Sequence, residues 1–372
     1  MKNNIIFKLI VATLLLCKLT FSQRYEIKLK RTFKDELLLP ICVGTPCQLL
    51  YLKLLTSTNM IWISNKNIFN HGFNPFLSRT LHKITTPYSL AYKGQRIICA
   101  LVDETLSFEN PERTDSKLFS VNKVMIYLAE SGIIENDYDG VIGIGSSNPS
   151  DNSKSFFDLM YSTKTISHQI VEISQNKIVI GDTEHKEKIK YCSYIIDQNT
   201  LIHKTYQCIV NMVYITNKRN LLINKEFSTI PYIEPREGKN KITFKLGANV
   251  ILCPLEYFNF IVDEIFPDLF SQRICTKSND GTLLFVVCYS SINSHIEAMG
   301  MINIIIGNIS ISLNPRKLFR NSGEEEYILF EIMHEQSEDN RDQWIFGLPI
   351  LKEYNLILDN ENKKVGLVHN NS

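Results

Sequence analysis

Trp344-Ile345-Phe346-Gly347-Leu348-Pro349-Ile350-Leu351-Lys352-Glu353-Tyr354-Asn355-Leu356-Ile357-Leu358-Asp359, followed by Lys364-Val365-Gly366-Leu367, carries the most specific residue pattern in the chain. Its short apolar blocks have counterparts upstream at Leu49–Leu55, Met60–Ser64, Ile97–Leu101, Lys123–Leu128, Lys177–Ile180, Ile209–Ile215 and Ile302–Ile306. The blocks recur at intervals of roughly ten residues. They are rich in Ile, Val, Tyr and Phe and are separated by Asn, Gly, Ser, Pro and Asp, which is the signature of a mostly β protein. Few segments hold a helical period; Ser155–Tyr161 and Leu255–Phe266 are the best helix candidates, with Pro254 suited to the first turn of the second. The polar stretches Ser146–Lys154 and Glu324–Arg341 read as exposed loops.

The chain has 372 residues, 44% of them hydrophobic, which is enough for a sizeable core in two domains or one large bilobal one. The formal net charge is +1, so neither a nucleic-acid nor an anionic-membrane partner is expected. Lys2 and Lys8 flank a short apolar segment, Leu9 to Cys17, and Thr20-Phe21-Ser22 offers small residues for cleavage. Residues 1–22 are therefore expected to be a secretory signal peptide, the segment being too short for a comfortable membrane span. No stable membrane anchor is expected. Of the nine cysteines, Cys17 would leave with the signal. Cys42, Cys47, Cys99, Cys192, Cys208, Cys253, Cys275 and Cys288 remain, an even set that favours disulfides in an oxidising compartment and leaves their pairing open. No metal-ligand spacing and no cofactor motif is present. Asn308-Ile309-Ser310 and Asn370-Asn371-Ser372 match the glycosylation acceptor pattern.

Several segments, read in order, resemble the pepsin-like family of eukaryotic aspartic proteases. Ile41-Cys42-Val43-Gly44-Thr45-Pro46-Cys47-Gln48 is similar to that family's I-x-I-G-T-P-x-Q entry hairpin. Leu55-Thr56-Ser57-Thr58-Asn59-Met60-Ile61-Trp62-Ile63 follows the register of D-T-G-S-S-x-L-W-V, with Leu55 at the aspartate. Tyr88 to Gly94 resembles the flap hairpin, with Tyr92 at the flap tyrosine. Asp139-Gly140-Val141-Ile142-Gly143-Ile144-Gly145 resembles D-G-I-L-G-L-G. In the second half, Lys241 to Pro254 is similar to A-x-x-D-T-G-T-S-x-x-x-x-P, which puts Lys245 at the second aspartate, Leu246 at the threonine and Gly247 at the retained glycine. The C-terminal stretch resembles W-I-L-G-D-x-F-L-R-x-Y-x-x-x-x-D…K-V-G-F, departing at Leu348, where many members have aspartate. These segments cover most of residues 30–368.

The resemblance implies a mostly β, bilobal, pepsin-like fold with a central cleft and few short helices, the N-terminal lobe over 23–188 and the C-terminal lobe over 189–372. It also implies a Cys275–Cys288 disulfide, a bridge that stabilises by about 3 kcal/mol in the chain-entropy account. Aspartic proteases work through two carboxylates that share one proton, one acting as base toward water and the other as acid toward the substrate. Leu55 has no ionisable group, and a charged Lys245 donates but cannot accept. The chain therefore reads as a secreted or lumenal (secretory-pathway or vacuolar) pseudo-protease, expected monomeric, with no catalytic residue. Thr56, Tyr92 and Gly247 would shape a cleft and flap that hold an extended polypeptide. Two alternatives remain at this level: an active aspartic endopeptidase using other aspartates, with Asp139 and Asp359 the nearest by motif, or a structural secreted β protein. Replacing Thr by Leu246 also predicts that a buried Thr56 hydroxyl needs a new partner.

Overall fold

A computed structural model describes residues 24–92, 94–109, 117–132, 137–145, 155–183, 189–193, 206–216, 231–234, 241–296, 299–323, 326–337 and 342–370. The expected signal peptide, the Ser146–Lys154 loop and the end of the last glycosylation pattern lie outside them. The protein is strand-rich and bilobal, built on three sheets. An eight-stranded sheet is formed between Lys30 and Gly143, and a twelve-stranded sheet between Gln207 and Phe346.

The six-stranded third sheet takes Tyr25–Lys28, Ile170–Ile173 and Lys177–Ile180 from the first half, and Lys190–Ser193, Tyr354–Asp359 and Lys364–His369 from the second. Val171 faces Leu358 across an antiparallel pair. Every residue of Tyr354–Asp359 is buried, which is why its Leu356-Ile357-Leu358 centre is an apolar run rather than an alternating one. The C-terminal signature thus serves two sheets. Trp344–Phe346 lies in the twelve-stranded sheet, a 3₁₀ turn at Leu348–Lys352 redirects the chain, and Tyr354–Asp359 enters the shared sheet.

Both expected helices form. Phe156–Ser162 starts at Ser155, whose hydroxyl accepts from the Asp158 N–H while the Asp158 carboxylate accepts from the Ser155 N–H, a reciprocal capping box. Leu255–Ile265 buries Tyr257, Phe258, Ile261, Val262 and Ile265 on one face. Pro254 sits at the N-cap rather than in the first turn, and it supplies no side-chain cap. A missing cap costs about 1 kcal/mol, small beside the ~1.5–3 kcal/mol gained for each buried aliphatic or aromatic side chain. The face therefore decides the helix.

The expectation of an exposed loop over Glu324–Arg341 is corrected by two strands, Tyr327–Phe330 and Ile332–Glu335. Even polar letters turn inward there: Glu331 and His334 are buried beside Ile328, Phe330, Ile332 and Met333.

Three disulfides form: Cys42–Cys47, Cys192–Cys208 and Cys275–Cys288. The last joins directly opposed residues of an antiparallel hairpin. The even count does not carry through to full pairing, because Cys99 and Cys253 are buried free thiols. Each is held in its own sheet or loop with no cysteine to meet. Burial, helped by the Glu130 carboxylate, pushes the Cys99 thiol up to about 12, and burial raises Cys253 well above the usual range, so neither is a ready thiolate. Asn308 is exposed in the turn between Met301–Ile306 and Ile309–Leu313. Among the described residues no helix is long and apolar enough to cross a membrane.

Candidate functional site

Each lobe builds the same loop from its own sequence. In the first, Gln48–Leu55 runs parallel to Gly140–Gly143, with Leu55 opposite Gly143. The chain turns through residues 56–60 and returns as Ile61–Ser64, antiparallel on the other side of Gly140–Gly143. The middle strand is thereby threaded between the two arms of the loop. In the second lobe, Lys241–Phe244 runs parallel to Trp344–Phe346 and Ile251–Leu252 returns antiparallel to it. Phe244 lies opposite Phe346, so the next residue, Lys245, falls opposite Gly347 and is the counterpart of Leu55. Glycine is needed at both crossings because a Cβ on Gly143 would lie 2.3 Å from the Thr58 carbonyl oxygen. The N–H groups of Gly143 and Gly145 donate to the Met60 and Thr58 carbonyls at 2.8 and 2.7 Å.

The two loop starts meet at one cavity of about 340 Å³. Leu55 and Lys245 both line it, with Met60, Trp62, Leu90 and Tyr92 above and beside them. Leu55 is 8% exposed and packs over Gly247, where an added Cβ would come within 2.6 Å of its Cδ2. Gly247 therefore gives Leu55 its seat. No Asp, Glu, His or Cys is among the described residues of the lining. Burial lowers the Lys245 ammonium below the ordinary lysine value, and the Glu335 carboxylate opposes that shift. Asp139 and Asp359 are placed elsewhere. The Asp139 carboxylate accepts from the Tyr51 N–H at 2.8 Å, and the buried Asp359 carboxylate accepts from the backbone and side-chain N–H groups of Asn362.

Thr56 finds the partners its burial requires. Its hydroxyl donates to the Phe244 carbonyl at 2.7 Å and accepts from the Leu246 N–H at 3.0 Å. A backbone amide thus meets the hydroxyl where Leu246 offers no polar side chain, and the lobes are tied beneath the cavity. Thr56→Val is expected to lose about 2–3 kcal/mol in denaturant unfolding, because two buried backbone groups lose their partner together. Thr56→Ser should retain most of it, and an unchanged midpoint for the valine variant would count against this tie.

The hairpin of His82–Tyr92 and Gln95–Glu109 overhangs the cavity, turning where Gly94 adopts φ +73°. The Tyr92 ring meets Trp62 edge-on at 5.2 Å, and its hydroxyl is 3.1 Å from the Tyr138 hydroxyl. Trp62 is 3% exposed, and among the described residues its indole N–H has no hydrogen-bond partner. Sequence reasoning used Trp62 only to fix register and passed over Tyr138. The signal for Tyr138 was its place immediately before Asp139-Gly140 at the entry to the threading strand.

Two β lobes, each with a threaded loop and meeting beneath an overhanging hairpin, define a bilobal pepsin-like protein. The chain matches the family model "Eukaryotic aspartyl protease" over residues 37–370 and belongs to that family, whose activity is aspartic endopeptidase. No curated protein matches the chain.

Proposed function

We propose that this protein is a secreted or lumenal pseudo-protease whose cleft holds an extended polypeptide without hydrolysing it. One observation carries the reading: Leu55 and Lys245 sit at equivalent strand ends over a shared cavity whose described lining has no carboxylate. Aspartic hydrolysis needs a base for water and a proton for the leaving group, both supplied by a carboxylate pair. An apolar Leu55 side chain neither takes nor gives a proton. A protonated Lys245 has no lone pair with which to activate water, and a deprotonated one has no acid beside it in the cavity. The preserved hairpin and open cleft support peptide binding, since exposed backbone groups along such walls can pair with an added strand. Three disulfides support an oxidising compartment.

The folded protein, incubated with an unfolded protein substrate at mildly acidic pH, is expected to yield no cleavage that a statine-type inhibitor suppresses. Inhibitor-sensitive cleavage would refute the pseudo-protease reading. Absence of both cleavage and peptide binding would favour a purely structural role.

A further inference from the structure

We propose that the cleft selects a carboxylate, and that Lys245 and the Trp62 indole N–H are its two donors. The inference rests on the reading of the cleft as a polypeptide-binding site and assigns the chemistry of what is bound at its centre.

The cavity is unbalanced in hydrogen-bonding capacity. Its wall of Leu55, Met60, Leu90 and Val141 is apolar. Against that wall stand the Lys245 ammonium and the Trp62 side chain, with the Ser57 hydroxyl, which can both donate and accept, also in the lining. Among the described residues neither Lys245 Nζ nor the buried Trp62 Nε1 has a hydrogen-bond or ion-pair partner. The Tyr92 hydroxyl, on the overhanging hairpin, lies 3.1 Å from the Tyr138 hydroxyl. Thr58, also in the lining, has its hydroxyl accepting from the Met60 N–H at 3.1 Å. Glu335 acts on Lys245 only through its field, while its Oε1 accepts from the Ser337 hydroxyl at 2.7 Å.

A buried N–H and an under-solvated ammonium both call for an acceptor, and an anionic one satisfies both most strongly. The depressed proton affinity of Lys245 is what an apolar site produces before its counter-ion arrives. A free hydrophilic anion would leave the apolar wall bare to water. The fitting ligand therefore presents its carboxylate from an apolar stretch of extended chain. That carboxylate has two sources in a polypeptide: an Asp or Glu side chain, or the α-carboxylate of a chain end.

Three fluorescently labelled peptides of one apolar sequence separate the cases by anisotropy titration of the full chain. The first has an internal Glu and an amidated terminus, the second Gln and a free terminus, and the third Gln and an amidated terminus. At least one carboxylate peptide is expected to bind ~10–100-fold more tightly than the neutral one, the range of one charge-assisted hydrogen bond. Whichever binds tightly identifies the source. Lys245→Met should erase the preference, bringing all three within about twofold of one another, while Lys245→Arg, which keeps the charge and reports on folding, should retain it. Trp62→Phe should weaken the carboxylate peptides by a few-fold. Equal binding of all three peptides by the wild-type chain, or a preference that survives Lys245→Met, overturns the carboxylate assignment and leaves peptide binding standing. Failure of every peptide to bind overturns the cleft reading itself.

Discussion

Gly347→Ala is expected to prevent the C-terminal lobe from folding, or to cost more than about 4 kcal/mol if it folds. A Cβ at this position would lie 2.3 Å from the carbonyl oxygens of both Ala248 and Val250. Neither atom belongs to a side chain that could swing away. Both lie in the loop after Lys245, and the Ala248 oxygen already accepts from the Leu348 N–H at 2.8 Å. Relief would require opening the loop around its threading strand, which would displace Lys245 from the cavity and loosen the Thr56 tie to Leu246. Gly281→Ala is the matched control. Gly281 has φ +91° but no heavy atom within 4 Å of the added Cβ, so only backbone strain of about 1–2 kcal/mol is expected there. Soluble yield and thermal unfolding of the two variants check the contrast. A Gly347→Ala protein as stable as the Gly281→Ala protein would show that the loop yields far more easily than its geometry implies.

Lys53→Met is expected to cost about 3–5 kcal/mol. Lys53 forms an ion pair with Glu36 inside the N-terminal lobe, the two side chains 3% and 5% exposed, and Lys53 also lies over the Tyr138 ring at 5.7 Å from its centroid. Among the described residues the second carboxylate oxygen of Glu36 already lacks a hydrogen-bond partner. Removing the ammonium would strand a buried negative charge, and that penalty outweighs the apolar contact the methionine adds. Combining Lys53→Met with Glu36→Leu should return stability to within about 1 kcal/mol of the starting protein, because two apolar groups need no partner. Urea unfolding of the two single variants and the double variant measures the coupling. A single variant that loses under about 1 kcal/mol would mean the pair is hydrated in solution. With whole-protein stabilities near 5–15 kcal/mol, the single change would remove a large share of the total.

Much of the scaffold was legible in the chain itself. Short β-branched and aromatic runs between turn residues specify strands through local preference, and Lys177–Ile180 forms with the bounds its letters suggest. The one-sided apolar spacing of Leu255–Ile265 and the Ser155–Asp158 cap are equally local, so both helices could be read. The polar run ending at Arg341 was misleading for a physical reason: acidic letters flank Tyr327–Phe330 and Ile332–Glu335, and only the neighbouring strands show which of these side chains face inward. Cysteine count likewise predicts oxidation but not position, and Cys99 and Cys253 stay reduced because each is buried away from any other thiol.

Residue identity alone determined the absence of a carboxyl at positions 55 and 245, as well as the glycines that let two loops be threaded. Tertiary structure alone decided what those positions face: Leu55 seated on Gly247, an ammonium in an apolar cavity, and an indole N–H without an acceptor among the described residues. It also supplied the partner that the Thr56 hydroxyl needed, a backbone amide 190 residues away. Strand and turn preferences act over a few neighbouring residues, whereas desolvation and hydrogen-bond supply depend on which distant segments come together, and only the folded chain sets that.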